Sequence, residues 1–371
     1  MVATIARLAA EWDALSSRLE KTIRVLAVDD EPGMLQLIDA VLEGAAFETI
    51  LADSGEKAIE VAEEHSVDVL LVDKNLPGID GIETIRRLHQ RDRNIEAVVI
   101  TGYASIESVL AAIDLHAVDY LVKPLQSIDA IPAAVRRAAR RRRRRLIADR
   151  MLDDLRREVH DRADDQDLTL LSDARERIER VYAALGRMRN VLFVGMSFDL
   201  GGGPRRLRDA GFTLYRTESG EEALAQCAAG AANVVIVADE GGDMSGLTFF
   251  DRLAELDGCP EAIFVTGARR LQSAIDALNR GASGYLITPL KDEAMLVRTV
   301  EQACRDHHER LYHYTLVSEL NRMLTVLGDR EVHGSARDRV AAALNVFDSR
   351  AASVAVVMYA SARRGASEWN P

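Results

Sequence analysis

Residues 54–61 read SGEKAIEV and residues 219–226 read SGEEALAQ, an offset of 165. The same offset links Gly81 to Gly246, Thr101-Gly102 to Thr266-Gly267, Tyr120-Leu121 to Tyr285-Leu286 and Pro124-Leu125 to Pro289-Leu290. Matches at one unbroken spacing over so long a stretch mean that the chain holds two copies of one folding unit. The first copy occupies 22–138 and the second 190–305. Whatever fold accounts for one copy must also accommodate the other.

The first copy contains the apolar runs IRVLAV (23–28), VDVLLV (67–72), IEAVVI (95–100) and YLV (120–122). They are short, β-branched and apolar throughout, as strands buried on both faces should be. Helical patterns such as MLQLIDAVLEG and GIETIRRLHQ lie between them. The second copy repeats the order with VLFV (191–194), NVVIV (233–237), AIFV (262–265) and YLI (285–287). Strand alternating with helix predicts two α/β domains, each with a parallel sheet. A chain of 371 residues that is 48% hydrophobic can build such cores, which excludes a wholly disordered chain. No apolar run approaches the roughly 18 residues of a transmembrane helix. Charges interrupt the N-terminal stretch MVATIARLAAEWDAL, so no signal peptide is expected. Cys227, Cys259 and Cys304 are widely spaced and odd in number, which fits the reduced cytoplasm better than a disulfide framework or a zinc site.

Three segments remain. At the N-terminus (1–21), Ile5, Leu8, Trp12, Leu15 and Leu19 follow a 3-4-3-4 spacing, that of an amphipathic helix. The connector (139–189) begins with a run of six arginines, Arg140 to Arg145, turns acidic at Asp164-Asp165, and ends with Ile178, Val181, Leu185 and Met188 at 3-4-3 spacing. Beyond the second copy, Val317, Leu320, Leu324 and Leu327 repeat that spacing within 306–371. These seams are read as helical extensions that pair the chain into a homodimer or carry a signal along it.

In the first copy, charged residues stand where strands end. Asp29 and Asp30 follow the first strand and Asp73 the second run, while Thr101 and Lys123 follow the later ones. In an open α/β sheet, ligands bind at the carboxyl ends of the strands. Converging carboxylates call for a hard cation, and Mg²⁺ suits carboxylates, a backbone oxygen and waters. With an ammonium and a hydroxyl beside them, the group reads as a phosphoryl-transfer site in which one carboxylate is the nucleophile.

The succession VDDEPG, VDKNLPGIDG, ITGY and DYLVKP resembles the receiver domain of two-component response regulators, over residues 22–138. The resemblance implies a doubly wound, flavodoxin-like fold with five parallel strands in 2-1-3-4-5 order. It implies that Asp73 accepts a phosphoryl group from a histidine kinase or phosphotransfer protein. Asp30 and Asp73 would bind Mg²⁺ directly with the backbone carbonyl of Asn75, and Asp29 through water. Thr101 and Lys123 would contact the phosphoryl oxygens. Tyr120 matches an aromatic switch residue, and the peptide before Pro124 would be cis. On this resemblance the chain is a phosphoacceptor and binding protein rather than a catalyst.

The second copy keeps the fold residues without the chemistry. Asp73 maps to Ala238, Lys123 to Thr288 and Thr101 to Thr266. Near the first strand the offset becomes 166, and Asp29-Asp30 map to Gly195-Met196. Asp239 stands one position late; a gapless alignment turns its side chain away from the pocket, and a local slip would bring it back. The copy resembles a degenerate pseudo-receiver that works through protein contacts. Thr266 and Tyr285 read equally well as core residues.

Two glycine-rich stretches are read as turns. GGDM (241–244) resembles part of a diguanylate cyclase signature, and Gly201-Gly202-Gly203 lacks the Gly-Lys-Ser/Thr of a phosphate loop. The arginine run carries two readings: a patch for nucleic acid, anionic lipid or an acidic partner, and a helical extension paired with the acids that follow it. The second is favoured, because no aromatic residues interleave and the net charge is −12. Within 306–371, RDRVAAALNVF and ASVAVVMY (337–359) loosely resemble the opening of a GAF-type domain and read equally well as a small helical cap on the second copy or the stub of an output domain, and His160 and His333 read as surface histidines. Three functional alternatives stand beside the switch reading: the regulatory part of a larger kinase or cyclase, an arginine-run nucleic-acid regulator, and a phosphate sink.

Overall fold

A computed structural model describes residues 23–161 and 187–328, apart from 44, 46, 126, 196–199, 240–241, 257–258, 268–269 and 291, together with 11, 14, 15, 18, 19, 176, 180 and 183. The GAF-like stretch, His333, Met196 and much of the N-terminal and connector seams lie outside the described residues. Two compact units emerge. One joins Leu15–Ile147 with Arg270–Gly281, and the other takes the described parts of Ala148–Arg269 and Ala282–Pro371.

The first unit is built on β1 (Arg24–Val28), β2 (Glu48–Ala52), β3 (Val69–Asp73), β4 (Glu96–Thr101) and β5 (Asp119–Val122). All pairs are parallel, in the order β2-β1-β3-β4-β5. β3 and β4 are buried at every residue. The edge strand β2, ETILA, is half exposed. Its mixed composition hides it among the apolar runs, so only the resemblance anticipates it. Between the strands run α1 (Pro32–Glu43), α2 (Gly55–Glu64), α3 (Gly81–Arg91) and α4 (Ile106–Asp114). Side chains of Ser54 and Asp80 accept backbone N–H groups at the starts of α2 and α3, satisfying donors the helix leaves open. Ser105 and Ser108 form a reciprocal capping box on α4. On one face of the sheet Val25, Ala27, Leu71, Val98 and Ile100 pack against Ile38 and Leu42 of α1 and Ile131, Val135 and Ala138 of the following helix.

That helix, α5 (Ala130–Asp161), continues without a break past residue 138. It starts at the carboxyl edge of the sheet and runs back toward the amino edge. At 1.5 Å per residue, about two to four turns bring it level with the strand starts. There its arginines meet one acid at each of three strands. Arg137 pairs with Asp119, the first residue of β5. Arg141 and Arg145 each reach Glu96, the first residue of β4, at 3.4 Å. Arg142 Nε donates to Asp68, just before β3, at 2.8 Å. The other Asp68 oxygen accepts the backbone N–H of Arg24 at the start of β1, also at 2.8 Å. These arginines are therefore engaged by acids of the receiver itself; the acidic stretch at Asp164-Asp165 lies outside the described residues.

The second sheet repeats the first with β6 (Asn190–Val194), β7 (Thr213–Thr217), β8 (Val234–Ala238), β9 (Glu261–Thr266) and β10 (Gly284–Ile287), ordered β7-β6-β8-β9-β10 and parallel throughout. Its helices are α6 (Gly203–Asp209), α7 (Gly220–Ala228), α8 (Gly246–Leu253), α9 (Leu271–Asn279) and α10 (Glu293–Gly328). Both glycine-rich stretches are turns closed by acids. Gly202 N–H donates to Glu293 at 2.7 Å. Asp243 of GGDM accepts from Ser219 Oγ and Gly220 N at the start of α7. Gly81 and Gly246 match for a steric reason: a Cβ on either would lie 2.2 Å from the Asp73 carbonyl oxygen or 2.6 Å from that of Ala238. No described helix is long and apolar enough to cross a membrane.

Arg142 is almost buried, so losing it leaves one oxygen of the partly buried Asp68 without its charged partner. Arg142→Ala is expected to lower the stability by about 1–3 kcal/mol, measured by urea unfolding. Adding Asp68→Asn should recover part of the loss; an unchanged midpoint in Arg142→Ala would overturn the clamp.

Candidate functional site

The carboxyl edge of the first sheet brings together side chains from the ends of four strands. Asp29 follows β1, Asp73 and Thr101 end β3 and β4, and Lys123 follows β5. Asp29 and Thr101 are fully buried and Asp73 nearly so. The Lys123 ammonium donates to Asp29 Oδ2 and to Asp73 Oδ2, each at 2.6 Å. The free oxygens are held by the backbone: Glu31 N donates to Asp29 Oδ1 at 2.9 Å and Asn75 N to Asp73 Oδ1 at 2.7 Å. Thr101 Oγ1 accepts the Tyr103 N–H at 3.1 Å and faces the Asn75 amide at 3.4 Å. The peptide Lys123–Pro124 is cis, as the resemblance implies.

Burial pushes the Asp29 carboxyl above its ordinary range, against the hydrogen bond from Lys123. Lys123 is raised as well: burial opposes its charge, and the hydrogen bonds to Asp29 and Asp73 outweigh that penalty. Lys123 therefore remains an ammonium. Asp30 is exposed on the next residue, apart from the buried pair. Among the described residues no group of three or more His, Cys, Asp or Glu side chains is placed to hold a metal ion. Asp29 and Asp73 do converge on one cation, and their hard oxygen donors match Mg²⁺ chemistry.

Tyr120 is buried in β5, its side chain 1% exposed. Its hydroxyl lies 2.7 Å from Ser108 Oγ on α4. Ser108 is a site neighbour that reasoning from the sequence missed. Its only signal there is the Ser-x-x-Ser spacing at the start of α4, which reports a cap rather than a contact with Tyr120.

The second sheet superimposes these positions by backbone pairing. Gly195 N donates to Thr217 O as Asp29 N does to Ala52 O, and Thr288 N donates to Thr266 O as Lys123 N does to Thr101 O. Ala238 ends β8 as Asp73 ends β3. Asp239 N donates to Val265 O as Lys74 N does to Ile100 O, so Asp239 holds the position of Lys74 with no slip. Its carboxylate nevertheless comes within 3.4 Å of Thr266 Oγ1. Thr288 Oγ1 faces the Thr266 carbonyl at 3.3 Å. Tyr285 is buried and stacks on Phe264 at 5.6 Å, a packing role. The cis peptide recurs at Thr288–Pro289. Cys227 and Cys304 are free and buried, and burial pushes their thiols up to about 12 and about 11.

A sheet of this order, with acids and a lysine at its carboxyl edge, defines the receiver class of signalling domains. The family model of the response regulator receiver domain matches residues 25–136 and 204–300, more than half of the sequence, and the chain belongs to this family with two receiver domains in tandem. Among curated relatives, transcriptional regulatory protein ZraR of Escherichia coli (strain K12) is 33% identical over 116 residues, 31% of this chain and 26% of that protein. Sporulation initiation phosphotransferase F of Bacillus subtilis (strain 168) is 31% identical over 114 residues, 31% of this chain and 91% of that protein. The chain thus spans about a quarter of ZraR and most of the Bacillus protein. A solved receiver domain protein from Clostridium thermocellum is 26% identical with a TM-score of 0.31, covering 32% of this chain and 95% of that one. Thermotoga maritima response regulator TrrA, solved in complex with Mg(2+)-BeF, is 27% identical with a TM-score of 0.29, covering 31% and 98%.

A carboxyl raised by burial loses stability as pH climbs from 3.8 through its folded value, because the folded state holds the proton more tightly. Asp29→Asn is therefore expected to raise the stability at pH 7, with the gain shrinking as pH falls toward 4. Urea unfolding across that range measures it; a constant difference between variant and parent would contradict the burial argument.

Proposed function

We propose that the chain is a two-component response regulator switched by phosphoryl transfer to Asp73. The observation that carries this reading is the Lys123 ammonium held at 2.6 Å from both Asp29 and Asp73 at the carboxyl edge of the sheet. In the step proposed, an Asp73 oxygen attacks the phosphorus of a phosphohistidine on a kinase or phosphotransfer protein. The new O–P bond forms as the N–P bond breaks, and the imidazole leaves with the electron pair. Lys123 counters the charge that spreads over the phosphoryl oxygens, and Thr101 offers its hydroxyl as a donor to them.

Mg²⁺, held by Asp29, Asp30, Asp73 and the Asn75 carbonyl, would supply further charge neutralisation at the same oxygens. The backbone donors at Asn75 and Glu31 keep the two carboxylates aimed, so the nucleophile needs little reordering. Output would follow from contacts that change around Thr101 and Tyr120. The second receiver, with Ala238 and Thr288 in place of the nucleophile and lysine, would act by binding rather than by accepting phosphate. Work in the cytoplasm and as a homodimer fits this reading.

Intact-protein mass after incubation with acetyl phosphate and Mg²⁺ tests the proposal. One added phosphoryl group is expected on the parent chain and none on Asp73→Asn. Addition that survives in Asp73→Asn would place the acceptor elsewhere, with Asp239 the first position to examine. No addition to the parent chain would overturn the reading.

A further inference from the structure

The edge strand β5 leaves its outer main-chain groups open to any passing backbone or amide. Here they are taken. Tyr120 N–H donates to Asn279 Oδ1 at 2.9 Å, and Asn279 Nδ2 donates to Tyr120 O at 3.2 Å. One side-chain amide thus mimics the donor and acceptor of an added strand residue. Asn279 is the last residue of α9, which packs against α4 and β5 within the first compact unit. By sequence, α9 belongs to the second family match, 204–300. The same Tyr120 that Asn279 holds by its backbone is held by its hydroxyl from Ser108 of α4. Tyr120 also pairs in register with Val99, two residues before Thr101, and precedes Lys123 by three.

We propose that the α4–β5 face is an internal docking surface whose occupant is α9, and that phosphoryl transfer to Asp73 changes how firmly α9 is held. The docking half rests on the contacts above alone. The coupling half rests on the function proposed for Asp73. While α9 is docked, the β5 edge is closed to a second copy of the chain or to an extended segment of another protein. The coupling works in both directions. A phosphoryl group that weakens docking is itself weakened by docking, by the same factor.

Hydrogen exchange on the full chain reads both halves. The Tyr120 amide is the direct probe, because Asn279 is its acceptor. Loss of two partly buried hydrogen bonds in Asn279→Ala should speed exchange of Tyr120 and of residues 271–279 by about threefold to tenfold, leaving β6 and β8 unchanged. Asn279→Asp keeps the acceptor and loses the donor, so its effect should be intermediate. A merely local role for Asn279 at the end of α9 would not move Tyr120. Exchange of Tyr120 at the parent rate in Asn279→Ala overturns the docking.

The same two segments should shift when mass shows one phosphoryl group added with acetyl phosphate and Mg²⁺, and should not shift in Asp73→Asn. Verified phosphorylation without a shift overturns the coupling and leaves the function of Asp73 standing. No gain in mass overturns the function and the coupling together, while the Asn279→Ala result still decides the docking.

Discussion

Two buried carboxylates at one sheet edge repel each other and are poorly solvated, and the first receiver holds them with a single ammonium. Lys123 lies 2.6 Å from an oxygen of Asp29 and of Asp73. Remove that charge and a fully buried Asp29 has only a backbone N–H to offset its desolvation. The shared lysine explains why β1, β3 and β5 must end level with one another. It also explains why Asn75 and Glu31 lend their N–H groups to the outer oxygens. The phosphoryl transfer proposed for Asp73 relies on the same ammonium.

The second receiver shows what the fold keeps when this charge balance is absent. With Gly195, Ala238 and Thr288 at these positions, none of the three brings a charge to the sheet edge. The backbone pairings at that edge are unchanged, and so is the close approach of Gly246 to the strand end. Aromatic packing of Tyr285 on Phe264 and of Phe264 on Phe250 takes up the interior instead. Fold and charge cluster are therefore separable, and the sheet persists on its apolar strands alone.

The opposite edge of the first sheet carries a different charge arrangement. Asp68, Glu96 and Asp119 stand at the starts of three strands, and arginines of α5 cover each of them. A helix that runs antiparallel to the strands must pass this edge, so the arginines meet the acids as a consequence of topology. The exposed members of the set contribute little each; the nearly buried Arg142–Asp68 pair carries most of the attachment. This holds α5 against the amino edge of the sheet as far as Arg145.

The repeat at an offset of 165, the apolar runs and the order of Asp29, Asp73, Thr101 and Lys123 were enough to establish two parallel α/β units and one charged edge. Buried parallel strands are legible because they are apolar throughout, and a site at strand ends is legible because it follows directly in the chain. The edge strands β2 and β7 were not, since half-exposed strands such as ETILA and TLYRT carry mixed residues. The partners of the arginine run, the Ser108 contact with Tyr120 and the Asn279 amide on β5 were decided only by the tertiary structure. Each joins residues 12 to 159 positions apart, or pairs charges that the chain order gives no reason to match. Periodicity records which face of an element is buried; it carries no record of which distant side chain will reach that face.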